Sequence, residues 1–343
     1  MPLSLLLVAL LAATPEPHPA PAPPAALAQG DAPRDRRLLA TGLALVPGAL
    51  VPGLGHRVAG DAQTANRLLL ISGTGGVVAA AGAGMLKLTA GNHGLAPLYL
   101  SMLFAGAMTW LSSWVGDVAG SARPEGQGRP FASEDSLTAA LLYGTSLAHA
   151  ASVRHLGILR AEYENPRLLL DGWGSLAPGT RYQELHLRAG VKVYGDGKRS
   201  HVALVAEGLR ELGADSDASG HGGLLMVEGR LDAGLLAKSL SGLVVLQRLG
   251  GGAIVYSYDG SPQTDLQSVL VLETGLAIAL ADWFEVSGVY SQRPDKRLGF
   301  VFDHGGHLEC QVKAELHPKA RLVVLTHLGA GMDVMLGAEV AAW

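Results

Sequence analysis

The stretch HLECQVKAELHP, residues 307–318, sorts its side chains with a period of two. Leu308, Cys310, Val312, Ala314 and Leu316 fall on one face of an extended chain, and His307, Glu309, Gln311, Lys313, Glu315 and His317 fall on the other. A strand divided this strictly meets two different solvents. The same division recurs upstream. YQELHLRAGVKVY sets Leu185, Leu187, Ala189, Val191 and Val193 against Glu184, His186, Arg188 and Lys192. LLMVEGRLDAGLLA sets Leu225, Val227, Leu231, Ala233 and Leu235 against Glu228, Arg230 and Asp232. VLVLETGLAIALAD, from Val269, carries Glu273, Gly275, Ala277 and Ala279 on its less apolar face. Turn clusters separate these runs: GDGK at 195, ADSDASGHGG at 214, DGSPQTD at 259, RPDK at 293, DHGG at 303 and HPK at 317. The pattern predicts roughly 12 antiparallel strands between residues 156 and 343.

A soluble sandwich and a membrane barrel both bury one face of such strands, with opposite solvents outside. Strand length separates them. Several runs reach about 10 to 14 residues, near the roughly 9–11 of a tilted membrane strand and beyond the usual 5–6 of a soluble one. Charge points the same way, because charged residues make up 16% of the chain against about 25% in soluble domains. The barrel reading places Glu184, His186, Arg188, Lys192, Glu228, Arg230, Asp232, Glu309, Lys313 and Glu315 in the lumen. It places Leu185, Leu187, Val191, Leu225, Val227, Leu231, Leu308, Val312 and Leu316 against lipid.

The alternating half and its terminal aromatic resemble a bacterial outer-membrane β-barrel protein. In GMDVMLGAEVAAW the terminal Trp343 resembles the aromatic read by the barrel-insertion machinery. Glu339 departs from that pattern, since it shares the register of Trp343, where an apolar, lipid-facing residue is expected.

Residues 35–153 lack the period of two. Three uncharged runs replace it: LLATGLALVPGALVPGLG from Leu38, LLLISGTGGVVAAAGAGM from Leu68, and GLAPLYLSMLFAGAMTWLSSWVG from Gly94. Each has about the length of a membrane-spanning helix. Pro47 and Pro52 break the first, the second is rich in Gly and Ala, and Tyr99, Trp110 and Trp114 stand where interfacial aromatics would in the third. VPGLGHRVAGDAQTA, residues 51–65, resembles the Pro-Gly-x-Gly segment of small bacterial membrane-associated helical-hairpin proteins of unassigned function. Its Pro52 and flanking glycines predict a turn, Gly60 a second, and Ala65 the start of the next helix. Beyond the polar break GSARPEGQGRPFASED, Ser133 followed by Glu134 and Asp135 predicts a capped helix running to about Val153.

LLLVALLAA at 5–13 and Ala26-Leu27-Ala28 read as an export signal. Strongly apolar helices would arrest an exported chain at the inner membrane. Their Gly and Ala content predicts helices weak enough to escape and then pack on or within the barrel's periplasmic end. The resulting division is a signal peptide at 1–28, a hydrophobic helical segment at 29–120, a linker with an amphipathic helix at 121–155, and a barrel at 156–343.

Little in the sequence points to chemistry. A single Cys, Cys310, forms neither an internal disulfide nor a Cys-based zinc site. Asp303, His304 and His307 in DHGGH lack an assignable third metal ligand, and His221 in SGHGG reads as a polar loop residue. GVKVYGDGKRS fails the phosphate-loop spacing. His186, His201 and His327 stand beside hydroxyl residues such as Ser200 and Thr326, as in barrels that modify lipids. A net charge of −4 without a basic stripe argues against nucleic acid.

The sequence thus predicts an α+β membrane protein: N-terminal hydrophobic helices, then an antiparallel transmembrane β-barrel of roughly 12 strands. The expected role is a non-enzymatic outer-membrane protein, structural or a narrow pore, with the bilayer and the insertion machinery as partners and with no cofactor or metal. The alternatives are an inner-membrane helical anchor carrying a periplasmic β-rich binding module, and a barrel-borne lipid-modifying enzyme.

Overall fold

The computed structural model describes residues 34–89, 95–123, 136–146, 155–195, 200–213, 218–292, 306–329 and 332–341. The export signal, Ser133, Asp303, His304 and Trp343 lie outside them. The chain divides into two compact units, Met1–Gly126 with Gly234–Ser241, and Gln127–Ala233 with Gly242–Trp343.

The first unit is helical: α1 Arg34–Leu45, α2 Pro47–Leu50, α3 Leu54–Ala59, α4 Ala62–Leu88 and α5 Ala96–Ala122. The first apolar run is broken as its prolines predict, into α1, α2 and α3. Breaking a helix strands carbonyls at its C-terminal end, and two of these find indole donors. Trp110 Nε1 donates to the Ala49 carbonyl and Trp114 Nε1 to the Ala44 carbonyl, both at 2.9 Å. Tyr99 is buried. These three aromatics, expected at a membrane interface, are engaged within the unit because the broken segment lies beside α5.

The Pro-Gly-x-Gly segment has a physical reading. Gly53 has φ +106° and a Cβ there would lie 2.5 Å from the Ala65 carbonyl oxygen, while a Cβ on Gly55 would lie 2.7 Å from the Ala44 Cβ. One glycine supplies a backbone conformation and the other a close approach. The next helix begins at Ala62, earlier than the expected Ala65, because Asp61 caps it by accepting the Thr64 N–H.

α4 and residues 98–122 of α5 are each long and apolar enough to cross a membrane. They pack through small residues: a Cβ on Gly106 would sit 2.4 Å from the Ala79 nitrogen and 2.5 Å from the Gly75 oxygen. Gly106→Ala therefore lowers helical-unit stability by about 1–3 kcal/mol through overpacking against backbone. Gly84, with nothing within 4 Å of a built Cβ, is the matched control, where Ala is neutral or stabilising by up to about 1 kcal/mol. Thermal unfolding followed by helical circular dichroism distinguishes the two.

The second unit is a closed antiparallel barrel of twelve strands, each paired with its sequence neighbours and β1 closing on β12. The strands are β1 Ser136–Ser146, β2 His155–Glu164, β3 Leu168–Leu176, β4 Gln183–Gly195, β5 His201–Leu212, β6 Ala218–Asp232, β7 Leu243–Tyr258, β8 Thr264–Ala281, β9 Phe284–Ser291, β10 His307–His317, β11 Ala320–Leu328 and β12 Met332–Ala341. Closure removes the sheet edge. By this topology β1 starts and β12 finishes at one end of the barrel. Strands β2, β4, β6, β8 and β10 finish at that same end. β9 finishes and β10 starts at the other end.

Two expectations are corrected here. No helix runs from Ser133 to Val153: residues 136–146 are β1, so the barrel begins before residue 156. SLTAALLYGTS has helix-tolerant Ala and Leu, but only a strand there can pair with both β2 and β12, and tertiary pairing overrides propensity. SGHGG is not a loop either. Residues 219–223 lie inside β6 with His221 exposed, because its glycines let the neighbouring Ile254 and Tyr256 of β7 approach.

Candidate functional site

Alternation in a closed barrel sends every second side chain inward, so the lumen is built from residues two apart on each strand. Glu184, His186, Arg188 and Lys192 line up on β4, Glu207 and Glu211 on β5, and Glu228, Arg230 and Asp232 on β6. An interior cavity of about 360 Å³ lies among them, and among the described residues its lining carries ten carboxylate side chains against five from Lys and Arg.

Two linked clusters fill this interior. Around β4, Arg188 Nε donates to Glu207 Oε2 at 2.7 Å, while its Nη1 lies 3.6 Å from Asp171 Oδ2. Asp171 also accepts from Arg160, which pairs with Glu162. Around β6 and β7, Arg248 bridges Glu228 at 2.6 Å and Glu273 at 2.7 Å, and His201 Nε2 lies 3.1 Å from Glu228.

Two contacts cross the lumen itself. Arg188 on β4 reaches Glu273 on β8 at 3.7 Å, with three strands between them. Arg230 on β6 reaches Glu164 on β2 at 3.3 Å, again across three strands, and Lys192 meets the same Glu164 at 2.6 Å. Such pairs tie strands a third of the way around the barrel to one another.

A smaller group lies across β10 to β12. His327 Nε2 meets Glu309 at 3.2 Å, and Glu339 accepts from Lys313 at 2.8 Å and from Arg321 at 2.7 Å. Glu339 is thus buried and doubly paired, which corrects the expectation of an apolar outward position there. The outward row of β12 is Val334, Leu336, Ala338 and Val340, and Asp333, Met335 and Glu339 share the buried one. Glu315 is half-buried opposite Arg321, and Asp232 is buried, its backbone N–H donating to Ser200 Oγ.

The apolar row divides by exposure. Leu185, Leu187, Val191, Leu225 and Leu316 are exposed, Leu225 at 71% and Leu316 at 72%. Val227, Leu231, Leu308 and Val312 are half-buried beside their strand neighbours.

The histidines considered for lipid chemistry have carboxylate partners. His186 lies between Glu207 at 2.6 Å and Glu184 at 2.8 Å, and Trp173 stacks on its ring with centroids 4.1 Å apart. Thr326 and His327 are adjacent on one strand and point to opposite faces.

In the helical unit, Asp117 accepts from the Gly55 N–H, the His56 N–H and, at 2.8 Å, His56 Nδ1, while His56 Nε2 meets Ser239 Oγ at 3.1 Å. Hydroxyl, imidazole and carboxylate stand in the order of a hydrolase relay. Ser239 and His56 are buried at 6% and 1% exposure, and Asp117 also binds two backbone amides, so the network reads as a fastening of Gly234–Ser241 to α3 and α5.

Several lumen residues escaped the sequence reading: Arg160, Glu164 and Asp171 on β2 and β3, Glu207 and Glu211 on β5, Arg248 on β7, and Arg321. Their signal was the same parity, applied on β2, β3, β5 and β7 to strands whose apolar rows are interrupted by Gly.

No family model and no curated protein matches the chain. Among solved structures it is similar to the KdgM porin, at 7% identity over 59% of this chain and 98% of that one, with a TM-score of 0.41. It is similar to the Acinetobacter baumannii outer membrane protein Omp33, at 7% identity over 60% and 98% with a TM-score of 0.36. It is also similar to the translocator domain of the Neisseria meningitidis autotransporter NalP, at 13% identity over 61% and 88% with a TM-score of 0.35. Likeness at these levels concerns the barrel fold and carries nothing about cargo.

Proposed function

We propose that this chain is a non-enzymatic outer-membrane barrel whose lumen is a narrow, cation-preferring pore held nearly closed by its own ion pairs. The observation that carries the reading is the pair of bridges across the lumen, Arg188 to Glu273 and Arg230 to Glu164. A barrel of this size has room for a conduit only where side chains leave it, and here ion pairs span the lumen between strands four positions apart. The twofold excess of carboxylates in the cavity lining favours cations over anions inside a low-dielectric wall.

The outer surface supports a bilayer setting. A closed barrel has no second sheet to cover Leu141, Leu159, Leu187, Leu225, Leu266 and Leu336, each more than half exposed. A water-exposed periplasmic binding module would not present that row. Short turns such as Asp282–Trp283 and Pro318–Lys319 share an end with the strand termini, the arrangement of a periplasmic face.

Two measurements test this. Unboiled protein should migrate faster than boiled protein on SDS gels, as closed membrane barrels do; absence of a shift rejects the membrane barrel. In planar bilayers under a KCl gradient, the full chain should show small currents with a reversal potential of cationic sign, and Arg188→Ala should enlarge them. Anion selectivity rejects the cation preference, and silence of both proteins rejects the pore and leaves a structural barrel.

A further inference from the structure

We propose that Glu184, His186 and Glu211 form a site for one divalent transition-metal ion, of the Zn²⁺ type, inside the barrel at the end opposite its chain termini. The donor atoms of these three side chains all lie within 4.8 Å of one another. Glu184 is the second residue of β4 and Glu211 the last but one of β5, so the group stands near one mouth of the lumen, on the lining of the interior cavity.

Strand register makes the case independently of that proximity. Glu184 and Glu211 are direct cross-strand partners. Like charges placed opposite each other on one face of a sheet are unfavourable, and a cation between them reverses the sign. His186, two residues along β4, points from the same face and supplies nitrogen to a pair of oxygens. One nitrogen and two carboxylates suit zinc or manganese better than calcium or magnesium, which take oxygen alone.

Each donor also has its own orienting partner, as ligand side chains in metal sites do. Glu207 Oε1 lies 2.6 Å from His186 Nδ1, which leaves Nε2 to face the two glutamates. Trp173 stacks on the imidazole and fixes its plane. The Tyr182 hydroxyl donates to Glu184 at 2.8 Å, and the Tyr256 hydroxyl to Glu211 at 3.2 Å. Glu207 is itself held by Arg188. An ion binding about 2.0–2.2 Å from each donor needs donors roughly 3–4 Å apart, a closing that side-chain torsions can supply. The inference stands apart from conduction, since an occluded barrel can hold the same ion.

The test uses the full chain, folded in detergent and carrying no polyhistidine tag. After incubation with Zn²⁺ and desalting, the wild type should retain about one zinc per chain by elemental analysis. His186→Ala and Glu211→Gln should lose it, and Glu207→Gln, which removes an orienting partner, should weaken binding on the order of tenfold to a hundredfold. Glu285→Gln, elsewhere on the lining, should retain wild-type zinc. The gel shift reports folding of each variant. Should His186→Ala not fold, X-ray absorption at the zinc edge of the wild type replaces it, and an imidazole signature is expected. A wild type that retains no zinc, full retention by folded Glu211→Gln, or a spectrum without imidazole each overturns the site. The gel shift and bilayer currents of the unmodified protein report on the barrel and pore separately.

Discussion

Replacing Leu225 with Arg lowers the stability of the bilayer-embedded barrel by about 2–4 kcal/mol, the range for a charged side chain at mid-membrane depth. Leu225 lies in the middle of β6 and is 71% exposed on the outer face. Leu316 is equally exposed, at 72%, but is the last residue but one of β10, close to a barrel end. Leu316→Arg therefore costs about 0–1 kcal/mol, because the effect falls away near the interface. The pair isolates depth, since exposure and substitution are matched. Equilibrium unfolding by denaturant from lipid vesicles, read as the folded band on unboiled gels, gives both values. Two small and equal effects would mean that the outer leucines meet water, and the membrane assignment would fail with them.

How much of this was legible in the sequence depended on which rule each segment obeyed. The strands at 182–194, 228–232 and 307–317 were readable because their solvent preference repeats every two residues. β1 was not. Ser133, Glu134 and Asp135 imitate a helix start, and the Ala and Leu that follow are compatible with either state, so the pairing that decides the matter lies with partners far along the chain, at residues 333–341. Glu339 was misplaced for a related reason. Its parity was counted from Trp343, whereas its partners Lys313 and Arg321 on the two preceding strands show which way it turns. The broken first helix followed from Pro47 and Pro52 alone. The roles of Trp110 and Trp114 could not, because a stranded carbonyl is visible only once the break is folded against another helix. In the lumen, period two selects which residues face inward, but a contact such as Arg188 to Glu273 depends on the curvature that turns β4 and β8 toward one another across the interior.

That contact sets the second large effect. Arg188→Ala removes the cation shared by Glu207, Asp171 and Glu273, whose side chains are 0%, 7% and 5% exposed. Breaking a buried ion pair from one side typically costs about 3–5 kcal/mol, because the remaining charge stays desolvated. The three carboxylates do not suffer alike. Asp171 retains Arg160, and Glu273 retains Arg248, whereas Glu207 keeps His186 as its neighbour. Most of the penalty therefore falls on Glu207. Adding Glu207→Gln to Arg188→Ala should restore about 1–3 kcal/mol by removing the stranded charge while keeping a hydrogen-bonding side chain, and adding Glu315→Gln, on another wall, should restore nothing. Denaturant unfolding of the single and double variants measures the coupling directly. If Arg188→Ala is no less stable than the wild type, or if Glu315→Gln rescues as well as Glu207→Gln, the lumen is hydrated enough to screen its charges, and the ion pairs would no longer account for a nearly closed pore.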